Sequence, residues 1–560
     1  MSSNFKLLCV VLVSLSKFAA PAKVLHCVAK IDNGLGVGLL KETFTKKQYC
    51  SYLGIPYAKP PVGNLRFEDP VPLLFNGSAD FLQVSGPCMQ TLVWSEDVTG
   101  DEDCLYLNIY TVHTGVGKKP RPLLPVLVWI HGGSFVEGSS ETDIFGPEFI
   151  LDENVIVVTF NYRLASFGFL GIDELQIAPN LGLKDQTEAL HWVHRNIRSF
   201  GGNRNRITLL GWSAGAASVT YHMYTKHSKG LFQRAIAMSG TMTQPWAYLF
   251  NDQWCSNEYL KQTDAFSKDE LQSRSAKLLI PTDGLKVTYF SNVYLCYIPR
   301  RDTVYALRSP YQAVQTHPVS DVPLLIGSTS IEHENIYPLR DFRMTHFNYP
   351  NSNVTVYEKI KQYLEQSRGN ISAEIFYSRL VSIADIKFGI QYFIEEASNN
   401  FKSPIYRYCF SFHGPFGYAS NEYYKFAPTI PGAMHGDDLG YLFTPYNYEN
   451  LVASDEINDP LVKKSLKVQR RMVRMWTSFI RSGNPTPNNG KINRTIWHPY
   501  NDGDPLLARH YLSIDRRFRV VRDMRPENYY YQLWRTIFNC LYFFQCEFLD
   551  AEEGDDNNGV

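Results

Sequence analysis

Five apolar runs of four to eight residues recur along the chain: Leu123-Leu-Pro-Val-Leu-Val-Trp-Ile130, Val155-Ile-Val-Val-Thr-Phe160, Ile207-Thr-Leu-Leu210, Ala235-Ile-Ala-Met238 and Val322-Pro-Leu-Leu-Ile326. None alternates as a strand with one wet face does, so each predicts a strand covered on both sides. Between them lie stretches of helical spacing, the clearest from Leu183 to Phe200. Parallel strands need such crossovers, and the pattern predicts an α/β fold: a mostly parallel central sheet with helices on both faces. Residues 28 to 75 read differently. Gly34, Gly36 and Gly38 punctuate short extended pieces and Pro60-Pro-Val-Gly63 stiffens a loop, which predicts an antiparallel start. No repeat and no Gly/Ser- or Pro-rich linker divides the rest, so residues 23–547 are read as one domain, with helices inserted between 330 and 430.

The ends of the chain follow other patterns. Lys6, the apolar run Leu7 to Leu15 and the small residues Ala20-Pro-Ala22 have the form of an export leader over residues 1–22, which predicts a secreted, extracellular protein. No later stretch approaches the about 20 apolar residues of a membrane span. Residues 548–560 are acidic and predict a disordered tail. Cysteine usage agrees with export. Nine cysteines follow the leader, and an odd number leaves at least one without a partner in its own chain. No Cys-x-x-Cys or His/Cys cluster has zinc spacing, so neither a metal nor another cofactor is expected. Sequons at Asn76, Asn353, Asn370 and Asn493 would mark exposed loops if glycosylated. Lys+Arg and Asp+Glu balance at 55 each, so no overall field exists to gather nucleic acid or an anionic membrane.

The candidate chemistry begins at the third apolar run, which leads into Gly211-Trp-Ser213-Ala-Gly215 and then an alanine-rich helix start. A Gly-x-Ser-x-Gly arises by chance in roughly one chain in five of this length, so its context decides. A strand that stops at a serine and a helix that begins just after it thrust the hydroxyl outward on a tight turn. A serine hydroxyl is a weak nucleophile until an imidazole removes its proton and an acid orients that imidazole. Downstream, Gly327-Ser-Thr-Ser-Ile-Glu332-His-Glu334 follows an apolar run, and Gly432-Ala-Met-His435-Gly-Asp437 holds a histidine in a loop. Glu332, Glu334 and Asp437 compete as the acid. Upstream, the first run leads into His131-Gly-Gly-Ser134, where the backbone N–H groups of Gly133 and Ser134, with that of Ala214, form a candidate oxyanion hole.

From residue 28 to about 500 the chain resembles the type-B carboxylesterase and cholinesterase family of α/β-hydrolases. The residues that carry the resemblance are Leu53-Gly-Ile-Pro-Tyr-Ala58, Glu102-Asp-Cys-Leu-Tyr-Leu-Asn108, His131-Gly-Gly133, Asn161-Tyr-Arg163, Gly168-Phe-Leu170, Asn180-Leu-Gly-Leu-Lys-Asp185, Phe200-Gly-Gly202, Gly211-Trp-Ser-Ala-Gly215, Gly230-Leu-Phe232, Met238-Ser-Gly240 and Gly483-Asn-Pro-Thr-Pro487. The resemblance implies that Ser213 is the nucleophile, Glu332 the acid, His435 the base, and Gly133, Ser134 and Ala214 the oxyanion donors. It also implies disulfides Cys88–Cys104 and Cys255–Cys296, and ion pairs of Arg66 with Glu102 and Arg163 with Asp185. His435-Gly-Asp-Asp-Leu439 is closest in motif to arthropod carboxylesterases.

Two departures bear on substrate. Trp212 stands where the family often has Glu, which removes a carboxylate, and the short first cysteine loop leaves Trp94 without a clear cation-binding place. Both favour small, uncharged carboxylic esters of hormone, odorant or xenobiotic type over choline esters. The rival reading is a non-catalytic, cholinesterase-like adhesion or binding protein; against it, all three triad candidates are present and no span is. N-terminal sequencing of exported protein is expected to begin near Lys23; retention of Met1 would contradict the leader.

Overall fold

Residue-by-residue alternation sorts the apolar runs onto two sides of one sheet. The computed structural model describes residues 26–91, 97–114, 122–141, 145–250, 252–280, 296–303, 305, 309–333, 349–351, 354–420, 431–445, 447–453, 455–487, 495–525 and 528–546. Residues 1–22, Trp94, Glu334, Asn353, Asn493 and the tail 548–560, all named from sequence, lie outside these. In chain order the sheet strands are β1 (His26–Ile31), β2 (Gly34–Glu42), β3 (Gln48–Pro56), β4 (Tyr106–Thr111), β5 (Leu124–Ile130), β6 (Ile156–Phe160), β7 (Gly202–Trp212), β8 (Arg234–Met238), β9 (Leu324–Thr329), β10 (Ile405–Phe410), β11 (His510–Ile514) and β12 (Phe518–Arg522). Their spatial order is β1-β2-β3-β4-β6-β5-β7-β8-β9-β10-β11-β12, and a short thirteenth strand, Ser78–Asp80, pairs with β2. From β6 across to β11 every pair is parallel. The antiparallel start expected over residues 28 to 75 is β1 to β3; β4, beyond those residues, extends it, and β12 returns antiparallel at the far edge.

Helices cover both faces: α1 (Leu181–Asn196), α2 (Ala214–Tyr224), α3 (Val354–Arg368), α4 (Ala373–Ser382), α5 (Phe388–Asn400), α6 (Pro460–Ser482) and α7 (Tyr529–Phe543). Val126, Val128 and Ile130 of β5 face one core with α1, α2 and α5. Leu127 and Trp129 face the other core with α6. The same alternation divides Ala235 and Ala237 from Ile236 and Met238, so a continuous apolar strand is what two buried faces require. The helices α3, α4 and α5 are those inserted between 330 and 430; α3 and α4 pack with α7 in a third cluster.

Strand β10 shows why the last third of the sheet escaped the sequence pattern. Its Arg407 breaks the apolar run, yet the side chain is buried, bonds the Asp523 carboxylate and the Gln391 amide, and lies over the Tyr500 ring. A charge inside a strand reads as a surface position unless its partner, 116 residues away, is known.

Cys88–Cys104 and Cys255–Cys296 are bonded, as are Cys27–Cys50, which ties β1 to β3, and Cys540–Cys546; Cys409 keeps its thiol. Asn76 and Asn370 are exposed. Both ion pairs form as forks: Arg66 with Glu102 at 2.6 Å through both Nε and Nη2, and Arg163 with Asp185 at 2.8 and 2.7 Å. The Arg163–Asp185 pair is fully buried and also ties the Glu68 carbonyl to the start of α1. Asp185→Asn leaves that buried guanidinium without its paired carboxylate and is expected to cost about 3–5 kcal/mol in chemical denaturation. Replacing both partners with apolar residues should recover most of the loss.

Candidate active site

The segments that follow four parallel strands emerge at the carboxyl edge of the sheet. In register, Gly211 of β7 lies beside Ile130 of β5 and Ala237 of β8, while Met238 lies beside Gly327 of β9. Whatever follows Ile130, Trp212, Met238 and Thr329 therefore emerges on one side, the place where open α/β sheets bind ligands.

Ser213 stands at the corner between β7 and α2 with φ 56° and ψ −121°, a left-handed φ that costs a non-glycine residue about 1–3 kcal/mol. Its flanks allow no side chains. A Cβ on Gly211 would collide with the Gly215 carbonyl, and one on Gly215 with the Ile130 carbonyl. The corner is held by the Ser213 N–H donating to Met238 O at 2.9 Å and by Ala217 N–H donating to Ser213 O at 2.9 Å. Ala214 opens α2, so its N–H is one of those a helix start leaves without a carbonyl in the preceding turn.

The loop after β5 turns through three successive positive φ values, 103° at Gly133, 52° at Ser134 and 64° at Phe135. Val136 and Glu137 N–H close it onto the Gly133 carbonyl at 2.9 and 3.0 Å, and buried Phe135 anchors it. Gly132 is packed so closely that an added Cβ would sit 3.1 Å from the Ser213 Cβ, which places this loop against the serine. His131, beneath it, stacks on Tyr162 at 4.4 Å, and burial pushes its imidazole down to about 4, so it is neutral.

Glu332 and His435, 103 residues apart, are hydrogen-bonded: His435 Nδ1 lies 2.6 Å from Glu332 Oε2. The other carboxylate oxygen accepts from the Ser239 hydroxyl and the Thr329 N–H, each at 2.7 Å. Burial pushes the Glu332 carboxyl up, but the His435 ring, its hydrogen bond, the Ser239 hydroxyl and nearby His333 hold it below the ordinary Glu value. Burial likewise lowers His435, against the pull of Glu332, so the imidazole is held neutral at pH 7. Backbone bonds join the two loops, with Ile331 N–H on Ala433 O at 2.9 Å and His435 N–H on Glu332 O at 3.2 Å.

Asp437 does not meet the histidine. Its carboxylate accepts from Ser420 N–H, Ser420 Oγ and Met434 N–H at 2.6 to 2.8 Å, and so shapes the turn that carries His435. Two neighbours were not anticipated. Ser239 was visible only as part of Met238-Ser-Gly240, and its contact with Glu332 follows from β8 and β9 lying side by side. His333, hydrogen-bonded to Asp385, packs its ring 4.5 Å from that of His435; no spacing in the sequence joins residues 333 and 385. Trp212 covers the imidazole, ring centroids 4.9 Å apart. Among the described residues no group of three or more His, Cys, Asp or Glu is arranged to hold a metal.

A serine corner after a parallel strand, with a glycine turn packed against it and an imidazole–carboxylate pair under the adjoining Trp212 indole, is the arrangement of an α/β-hydrolase. The chain belongs to the carboxylesterase family, whose sequence pattern matches residues 27–534. Venom carboxylesterase-6 of Apis mellifera is 31% identical over 544 residues, covering 89% of this chain and 92% of its own. Juvenile hormone esterase of Tribolium castaneum is 32% identical over 522 residues, covering 83% and 84%. The crystal structure of juvenile hormone esterase from Manduca sexta with OTFP covalently attached superposes with a TM-score of 0.76 at 25% identity, over 92% of this chain and 100% of that one. The protein is a carboxylic ester hydrolase acting on small ester substrates.

Because His435 is held below its ordinary value of 6.5, the neutral form persists into mild acid. kcat/KM is expected to rise with pH through a midpoint below 6.5 and then stay level. Glu332→Gln removes the negative charge that favours the imidazolium, so the midpoint should move to lower pH while kcat falls about 10³–10⁴-fold. A pH–rate profile of both proteins on a neutral ester checks the pair of effects.

Proposed function

We propose that this is a secreted serine carboxylesterase that cleaves uncharged carboxylic esters through an acyl-enzyme. The observation that carries the reading is the Glu332–His435 hydrogen bond beside the strained Ser213 corner. The Ser213 hydroxyl adds to the ester carbonyl carbon while His435 takes its proton. The developing oxyanion is met by the N–H groups of Gly133, Ser134 and Ala214. Collapse breaks the carbon–oxygen bond to the alcohol, which leaves with the proton held by His435. Water then adds with the same proton transfers, and the acid is released. Glu332 keeps the imidazole in the tautomer that accepts on the nitrogen facing Ser213. That OTFP is covalently attached to the Manduca sexta relative supports a covalent course.

Substrate class follows from Trp212. An indole lies against His435 where a carboxylate would draw a cationic alcohol, so the site offers an apolar wall. Hormone, odorant or xenobiotic esters fit such a wall better than choline esters. Export is supported by the leader pattern of residues 1–22, by four disulfides and by a relative named from venom. No helix among the described residues is long and apolar enough to cross a membrane. Residues 23–547 then form the catalytic domain. An adhesion role has no observation in its favour.

Ser213→Ala is expected to abolish hydrolysis of nitrophenyl acetate without changing the thermal melt. Wild-type protein treated with an organophosphate should gain a single adduct on Ser213 by peptide mass spectrometry. Native-rate turnover by the variant, or a folded wild type without the adduct, would overturn the mechanism.

A further inference from the structure

The zero net charge of the chain conceals an uneven distribution. Helix α6 carries seven Lys and Arg in 23 residues and no Asp or Glu. Its apolar side, which includes Val468, Met472, Trp476 and Phe479, is buried in the second core, so the helix cannot turn. Lys463, Lys467, Arg470 and Arg474 are consequently fixed outward, all exposed, at spacings of four, three and four residues. That spacing places them in one row along the helix, about 16 Å long at about 1.5 Å per residue.

None of the four has an ion-pair partner among the described residues. Lys463 meets only the Asn458 amide oxygen, at 3.3 Å. The acids near the helix act elsewhere: Asp459 caps its first turn, and Glu153 pairs with Arg481 at the far end. The row continues sideways. The Arg471 guanidinium lies 4.0 Å over the Phe518 ring of β12, and exposed Arg516 and Arg517 sit in the turn before that strand, with Asp515 the one acid beside them. Arg522, on the same side of β12 as Phe518 by alternation, is also exposed.

We propose that the outer face of α6 with the adjoining β12 turn is a binding site for a sulfated polysaccharide. A rigid row of unpaired cations about 16 Å long needs a ligand with regularly repeated anions, because one small anion meets only one or two of them. A membrane surface fits less well: an interfacial helix sinks an apolar face into lipid, and here that face is committed to the core. Single-stranded nucleic acid is gripped by exposed aromatics that stack on bases, and the aromatic rings of α6, Trp476 and Phe479, are buried. Export, as proposed above, brings the protein to sulfated matrix polysaccharides. The site lies on a different element from the serine corner, and its binding needs no ester chemistry.

The test is retention on immobilised heparin with a salt gradient, using the full chain. Wild type is expected to elute above physiological salt. The variant K463Q/K467Q/R470Q/R474Q should elute at lower salt, with a plot of log affinity against log salt shallower by about four, one per cation removed. Its hydrolysis of nitrophenyl acetate should be unchanged. A control, K30Q/K41Q/K261Q/K277Q, removes the same charge from exposed lysines elsewhere and should elute with wild type. Desulfated heparin should not retain the protein. Co-elution of the row variant with wild type, or an equal loss in the control, would overturn the site. Tighter binding of wild type to phosphatidylcholine–phosphatidylserine vesicles or to DNA than to heparin would overturn the ligand class.

Discussion

The register of four parallel strands is the constraint on which the candidate site depends. Side-by-side pairing of Gly211 with Ile130 and Ala237, and of Met238 with Gly327, brings the ends of β5, β7, β8 and β9 level. The glycine turn, the serine corner, Ser239 and the Glu332 loop each begin where a strand ends, so their relative positions are set by backbone hydrogen bonds rather than by flexible side chains. A shift of one residue would exchange the side chains fitted to the two cores as well as displace the loops, which makes the alignment costly to disturb.

Electrostatics complete what register begins. A carboxylate removed from water must find donors, and Glu332 finds them in His435, Ser239 and Thr329. Those bonds fix the imidazole, while Trp212 shields it. Positive φ at Ser213, Ser134, Ser239 and Glu332 concentrates backbone strain around one point. Such strain persists only where the surrounding packing over-determines it, and here two cores do so. The Glu332–His435 pair is thus held in place by the fold itself.

Charge follows a different logic at the surface. Buried guanidinium groups such as Arg163 and Arg407 have carboxylate partners because the interior demands them. The outer row of α6 has none among the described residues, and in water none is required. Neutrality of the whole chain therefore says little about any one face, since acids and bases need not balance locally.

The amino-acid sequence alone determined the strand core, the serine corner and the crossover helices, because these rest on local rules: apolar runs, glycines where a Cβ would collide, helical spacing. Those local rules left three acids open, and only the family resemblance pointed to Glu332. Tertiary structure decided that Glu332 meets His435 and that Asp437 shapes the turn beside it. It likewise placed Ser239 and His333 around the pair, hid Arg407 inside a strand, and gathered the cations of α6 into an outward row. The physical reason is common to all of these: local sterics act over a few residues, whereas a contact spanning 103 residues exists only once strand register and buried faces have fixed where each loop ends.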